Sequence, residues 1–310
     1  HMEIGRPDFD TPQVIKDAAY DSIRRGNVFY TSNYGTPELR KAIAGKLKRD
    51  NGVEYTPEEI LVTIGVGEGT YAAVAAFLNP GDEVLVPDPV WLNYIHVPNF
   101  FGAVPVSYPL REENEFQIDL KQLEALITGK TRMLVINSPG NPTGVVQSYE
   151  TLKGLADLAI RHDLIVVSDE IYEKLVYDGA KHFSVASISQ EVKDRTVTVN
   201  GFSKAYAMTG WRIGYAAARA DVVKGIMAVQ SQTTSATSAI SQKAAVEALR
   251  GPQHDLEVMV EEFKRRKDYV VDRLNKIPGI TCPDVKGAFY VYPDVQPYLG
   301  KSLSLIHISE

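Results

Sequence analysis

The sequence predicts an α/β fold: a mostly parallel sheet flanked by helices, with a smaller piece attached. Three observations carry this expectation. Short apolar runs of strand length alternate with helical periodicity through the middle of the chain, the pattern of βαβ units. At 310 residues the chain is long for a single core, so one large unit plus a smaller piece is expected. Residues able to do chemistry follow several of the apolar runs, where an open parallel sheet binds its ligands.

The first half alternates clearly. Thr11 to Arg25 reads as a helix, with Thr11 as N-cap and Pro12 at the first helical position. Pro37 to Asn51 reads as a second helix: Leu39, Ile43 and Leu47 form an apolar stripe, and Gly52 ends it. Ile60 to Ile64 is a short buried strand. Gly65 to Gly69 follows as a glycine-rich turn before a helix over Thr70 to Leu78. Such a turn is either an anion cradle of free backbone N–H groups or simply a tight turn. Glu83 to Val86 is a strand leading to Trp91, which is either core or an aromatic lid over a flat ring.

Met133 to Ile136 is another apolar strand, running into Asn137–Gly144, a loop whose prolines and glycines prescribe its backbone around Asn141. A helix over Tyr149 to Arg161 precedes the strand Leu164 to Val167, which continues into Ser168 and Asp169. A carboxylate at the end of a strand buried on both faces is costly unless a cation answers it. Asp194 to Val199 leads into Asn200–Tyr215, where Lys204 stands beside Ser203 and before Arg212, among glycines 201, 210 and 214. Lys204 is either a solvated loop charge or an amine held for a carbonyl. Arg212 to Ala217 reads as a strand, Asp221 to Arg250 as one helical stretch and Asp255 to Lys276 as a long helix. Pro278–Gly279 marks a change of domain, and Ala288 to Tyr292 is a strand beyond it.

Composition narrows the partners. The net charge is −6 with no Lys/Arg-rich run, so no general attraction to nucleic acid or anionic membrane is expected. No metal site is assigned. A single cysteine, Cys282, rules out an internal disulfide framework and suits a reducing compartment. With no signal peptide and no membrane-length apolar run, a cytoplasmic protein is expected.

Trp91, Asn141, Asp169 and Lys204 each follow a separate apolar strand, so a parallel sheet would bring them to one edge. An aromatic plate, an amide, a buried carboxylate and a lysine, with a glycine turn and an arginine for an anion, match pyridoxal 5′-phosphate (PLP). On four motifs the chain then resembles the fold-type I, PLP-dependent aminotransferases of class I/II, the aspartate aminotransferase-like group. These are Tyr30–Arg40, Ser138–Gly144, Ser168–Tyr172 and Ser203–Gly214, in family order, with similarity from about Ile4 to about Lys301.

The resemblance implies roles. Lys204 would bond the cofactor aldehyde and move the substrate proton, Asp169 would face the ring nitrogen, and Asn141 and Tyr172 would donate to the phenolic oxygen. Trp91 would stack on the ring. Arg212, Ser203 and the amides of Val66, Gly67 and Glu68 would hold the phosphate, joined by Tyr30 of a neighbouring subunit in a homodimer. Gly5, Trp91 and Asn141 would meet the substrate. Asp88–Pro89 and Asn141–Pro142 are expected to be cis.

The implied organisation is an N-terminal segment of the small domain (1–26), a large PLP-binding domain (27–277), the start of the small C-terminal domain (278–301) and a non-native tail (302–310). Gly201 stands where many relatives place a hydroxyl. The resemblance also implies an arm before Ile4 and an arginine that grips the substrate α-carboxylate, and no residue of this sequence is assigned to either. The activity implied is ping-pong transfer of the amino group of an aspartate-like or aromatic L-amino acid to a 2-oxo acid such as 2-oxoglutarate. The alternatives are a C–S lyase or a cyclopropane-carboxylate synthase-like reaction on the same cofactor, or an inactive PLP-binding fragment.

Overall fold

A computed structural model describes residues 5–299; the tail 302–310 and the start of the similarity at Ile4 lie outside them. The strands are β1 (Ile60–Thr63), β2 (Glu83–Asp88), β3 (Val104–Pro109), β4 (Thr131–Asn137), β5 (Ile165–Asp169), β6 (Thr196–Gly201) and β7 (Gly214–Ala217). They form one sheet in the order β1-β7-β6-β5-β4-β2-β3. The run from β3 to β6 is parallel, and β7 lies antiparallel to both β6 and β1. The mostly parallel α/β architecture is thus as expected.

The apolar runs serve two cores at once. In β4, Met133 and Val135 enter the cluster on one face, while Leu134 and Ile136 enter the cluster on the other. Alternation along a strand sends neighbours to opposite faces, so a strand covered on both faces must be apolar throughout. Each such side chain contributes on the order of 1.5–3 kcal/mol on burial. These central strands are therefore a rigid base for whatever follows their ends.

Several expectations need correction. The first helix is Gln13–Arg24, and Thr11 does not cap it: its hydroxyl donates to the Ala207 carbonyl and accepts from Trp211 Nε1. Gly65–Gly69 is not a turn before a helix but the first turns of one spanning Gly65–Phe77. The stretch 221–250 breaks into Ala220–Thr233 and Ala239–Arg250. Ser235 between them takes φ 61°, and Ser238 caps the second by accepting from Ser241 N. Residues 288–292 form no strand; isolated bridges join Val176 to Gly287 and Thr281 to Asp294. The strand β3 and the helix Asn93–Phe100 were not anticipated, because Pro105, Pro109 and Pro98 interrupt their patterns. An edge strand and a helix's last turn tolerate proline better than an interior does.

Other elements stand as read. The helix Tyr149–Arg161 has the expected bounds, with Ser148 capping it through Thr151 N. The helix Pro37–Lys46 runs on as a wider turn, Leu47–Asn51, which Gly52 ends at φ 69°. The expected cis bonds are present, and Ser138–Pro139 is a further one.

Candidate active site

The ends of β2, β4, β5 and β6, contiguous in the sheet, deliver Trp91, Asn141, Asp169 and Lys204 to one cavity of about 430 Å³. Gly5, Val66, Gly67, Tyr172, Ser203 and Arg212 share its lining. Of the residues singled out in the sequence, Glu68 and Tyr30 are not on this wall. The Glu68 carboxylate accepts from Ile64 N and from the Thr234 hydroxyl, and Tyr30 is 98% exposed on the surface.

Local geometry explains how each group is held. Asp169 closes β5 and is buried; its Oδ1 accepts from Ile171 N at 3.0 Å and its Oδ2 from the Tyr94 hydroxyl. Trp91 packs edge-on against Tyr94, with centroids 5.6 Å apart. The Asn137 side chain ties two strand ends together: Nδ2 donates to the Asp169 carbonyl at 3.2 Å, and Oδ1 accepts from Asn141 N at 2.7 Å. Asn141 Nδ2 points to the Tyr290 hydroxyl at 3.4 Å, which lies 2.8 Å from the Tyr172 hydroxyl. Lys204 Nζ donates to the Gly5 carbonyl and lies 5.5 Å from the centre of the Phe289 ring.

Glycines let the anion end of the cavity close up. A Cβ on Gly65, which takes φ +73°, would lie 2.8 Å from Arg212 Nη2. Arg212 itself takes φ 51° and donates from Nη1 to the Thr209 carbonyl at 2.9 Å. At Gly201 a Cβ would lie 3.0 Å from Gly214 Cα and 3.1 Å from the Ile213 carbonyl. A side chain at this position would therefore have little room.

Burial dominates the electrostatics. It pushes the Asp169 carboxyl up to about 6, against the bonds from Tyr94 and Ile171 that favour the ionised form. Burial also lowers the Lys204 ammonium, with Arg212 adding to the effect and Asp169 opposing it. The Tyr172 hydroxyl is held far above its ordinary value, first by burial and then by Tyr290.

Tyr94, Asn137, Tyr290, Arg6 and Thr209 also belong to the site and were not singled out in the sequence. Asn137 and Thr209 sit within stretches the sequence singles out, whereas Tyr290 lies in the run 288–292, which forms no strand.

The donor set fits PLP. Asp169 is a buried carboxylate on the cavity wall whose hydrogen-bond donors are neutral, so a ring N–H⁺ is the complement it lacks. Lys204 offers an amine, Asn141 and Tyr172 offer donors, and the helix start at Gly65 with Arg212 offers an anion site.

Comparison with known proteins agrees with this. The chain matches the family model described as aminotransferase class I and II over residues 1–307. It is 46% identical over 298 residues to an aspartate aminotransferase of Bacillus sp. (strain YM-2), covering 96% of this chain and 76% of that protein. It is also 46% identical over 299 residues to the aspartate/prephenate aminotransferase of Cereibacter sphaeroides, covering 96% and 75%. Among solved structures, the aspartate aminotransferase of Rhizobium meliloti superposes with a TM-score of 0.92 at 44% identity, over 94% of this chain and 73% of that one. The Thermus thermophilus aspartate aminotransferase with maleate gives 0.92 at 42% identity, over 96% and 77%.

Proposed function

The chain belongs to the class I and II aminotransferases, PLP-dependent transaminases of fold type I, and from that premise we propose that it transfers the amino group of an aspartate-like L-amino acid to 2-oxoglutarate by a ping-pong mechanism. The observation that carries this reading is the convergence of Lys204 and Asp169, at the ends of adjacent strands, in one cavity with Trp91 and Asn141. The names of the relatives, aspartate and aspartate/prephenate aminotransferases, support the choice of donor.

When bound, PLP supplies an aldehyde that captures amines and a ring that takes up the electrons of the bond broken at the substrate α-carbon. The residues of this chain do the rest. Lys204 Nζ is the amine that would hold the aldehyde between turnovers and, once freed by an incoming amine, would serve as the general base that moves the α-proton by one position. Its lowered pKa suits both tasks, because an ammonium could do neither. Asp169 would face the ring nitrogen and keep a proton there. Asn141 and Tyr172 would donate to the phenolic oxygen, and Trp91 would stack on the ring. The first-turn amides at Val66, Gly67 and Glu68, with Ser203 and Arg212, would hold the phosphate. Gly5, Trp91 and Asn141 border the substrate. The amino acid and the oxo acid occupy the same cavity in turn, which is what a ping-pong order requires.

We further propose a homodimer in which Tyr30 completes the partner's site. Val28, Phe29 and Tyr30 are 53%, 80% and 98% exposed, a consecutive apolar surface that a second copy would cover. Mixing Tyr30→Phe subunits with Lys204→Ala subunits tests this, since only a shared site makes cofactor retention depend on the mixture. The division at about residue 277 into a large domain and the start of a smaller one is proposed with it. A cytoplasmic setting is supported by the single, buried and unpaired Cys282. No helix among the described residues is long and apolar enough to cross a membrane.

The function is tested by supplying PLP-loaded protein with aspartate and 2-oxoglutarate. Glutamate and oxaloacetate in equal amounts are expected; no glutamate from aspartate, together with release of hydrogen sulfide, pyruvate and ammonia when cysteine is supplied instead, would make the chemistry an elimination.

A further inference from the structure

Residues 5–11 run along the walls of two adjoining cavities that share Arg6, Thr209 and Arg212. This strap is firmly held. The Gly5 carbonyl accepts from Lys204 Nζ, Pro7 is buried, the Phe9 ring meets Phe263 edge-on at 5.3 Å, and the Thr11 hydroxyl donates to Ala207 at 2.8 Å. Its acidic side chains are answered: Asp8 by Arg266 at 2.7 Å and Asp10 by Lys16 at 2.6 Å.

Arg6 is the exception. It is exposed, it lines both cavities, and among the described residues no hydrogen bond or ion pair holds its guanidinium. Sharing both cavities with Arg212, and one residue from the carbonyl that receives Lys204, this cation is placed to meet an anion entering the site. A planar guanidinium matches a carboxylate two-prong to two-prong.

We infer that Arg6 recognises the side-chain carboxylate of a dicarboxylic amino acid or 2-oxo acid, an inference that rests on the proposed amino-group transfer. The position favours that carboxylate over the α-carboxylate. The α-carboxylate is one bond from the carbon bearing the reacting nitrogen, so it lies close to Lys204, in the part of the cavity bordered by Gly5 and Asn141. Arg6 stands one residue further along the strap, exposed and lining both cavities, and on this inference the far end of a longer substrate would extend to it. Binding energy spent there selects substrate without touching the proton transfer.

The test uses PLP-loaded wild-type protein, Arg6→Gln and Arg6→Lys. One readout is the ratio of kcat/KM for aspartate to that for phenylalanine; the other is quenching of Trp fluorescence by succinate and by propionate, which needs no turnover. The expected result for Arg6→Gln is a fall in the ratio of about 10- to 100-fold, the range for losing a charge-assisted contact. Succinate binding should weaken by a similar factor relative to propionate, with Arg6→Lys in between. An equal fall for both donors, or weaker PLP binding with the ratio unchanged, overturns the inference and assigns Arg6 to the α-carboxylate or the phosphate. If wild-type protein made no oxo acid from any donor, the transfer reading would fall. A selective loss of succinate binding would still support the role of Arg6, so the two failures are distinguishable.

Discussion

The hydroxyl of Tyr94 donates a hydrogen bond to Oδ2 of Asp169, joining the helix that follows β2 to the end of β5. Both residues are buried, and the bond favours the ionised carboxylate against a burial cost that pushes it up to about 6. Removing the bond in Tyr94→Phe should raise the Asp169 pKa further. At neutral pH the expected loss of PLP affinity is roughly 10-fold, a typical value for one hydrogen bond to a charged group. The loss should grow as pH falls from 7 to 5, because more of the carboxylate becomes protonated. Titration with PLP across that range checks it; identical pH profiles for the two proteins would count against a role for the bond.

Asp169 should also cost the cofactor-free protein stability. Its folded pKa, about 6, lies above the 3.8 of an exposed aspartate. Between those values the native state keeps a proton that the unfolded state has lost. The contribution is therefore fully present below about 4, falls as pH rises towards 6, and is absent above. At about 1.4 kcal/mol per pKa unit the swing is on the order of 3 kcal/mol. Asp169→Asn, free of PLP, should lack this slope and be more stable than wild type at pH 7. Urea denaturation at pH 4, 5, 6 and 7 measures it, and parallel curves for the two proteins would be the contrary result.

Gly5→Ala probes the strap. A Cβ there would lie 1.8 Å from the Tyr290 hydroxyl, which itself meets Tyr172 and Asn141. The strap or Tyr290 must move, while the two sheet cores remain untouched. We expect kcat/KM to fall about 100-fold, the scale of a misplacement of about 1 Å at a reacting site. The midpoint of thermal unfolding should shift by only a few degrees. Near-normal activity would mean that the strap is not part of the working geometry.

How much of this was legible in the sequence depended on range. β4, β5 and β6 announce themselves because burial on both faces makes their middles apolar or β-branched, and the residues at their ends follow directly. Tyr94 and Tyr290 were not legible, because their partners are set by tertiary packing: Tyr94 meets Asp169 across 75 positions and Tyr290 meets Tyr172 across 118. Local pattern also misled at both ends of the site. The glycines of Gly65–Gly69 suggested a turn, yet the helix begins at Gly65, with its N-terminus towards Arg212. The aromatic and β-branched run Ala288–Tyr292 suggested a strand, but packing of Phe289 and Tyr290 around Tyr172 and Lys204 fixes it in an irregular path.

Lys204 is proposed as the residue to which PLP attaches. Protein loaded with PLP should be reduced with borohydride, digested, and mapped by mass spectrometry. One phosphopyridoxyl group per chain is expected, on the peptide containing Lys204, and none in Lys204→Ala. A label on any other lysine, or undiminished labelling of the variant, would contradict it.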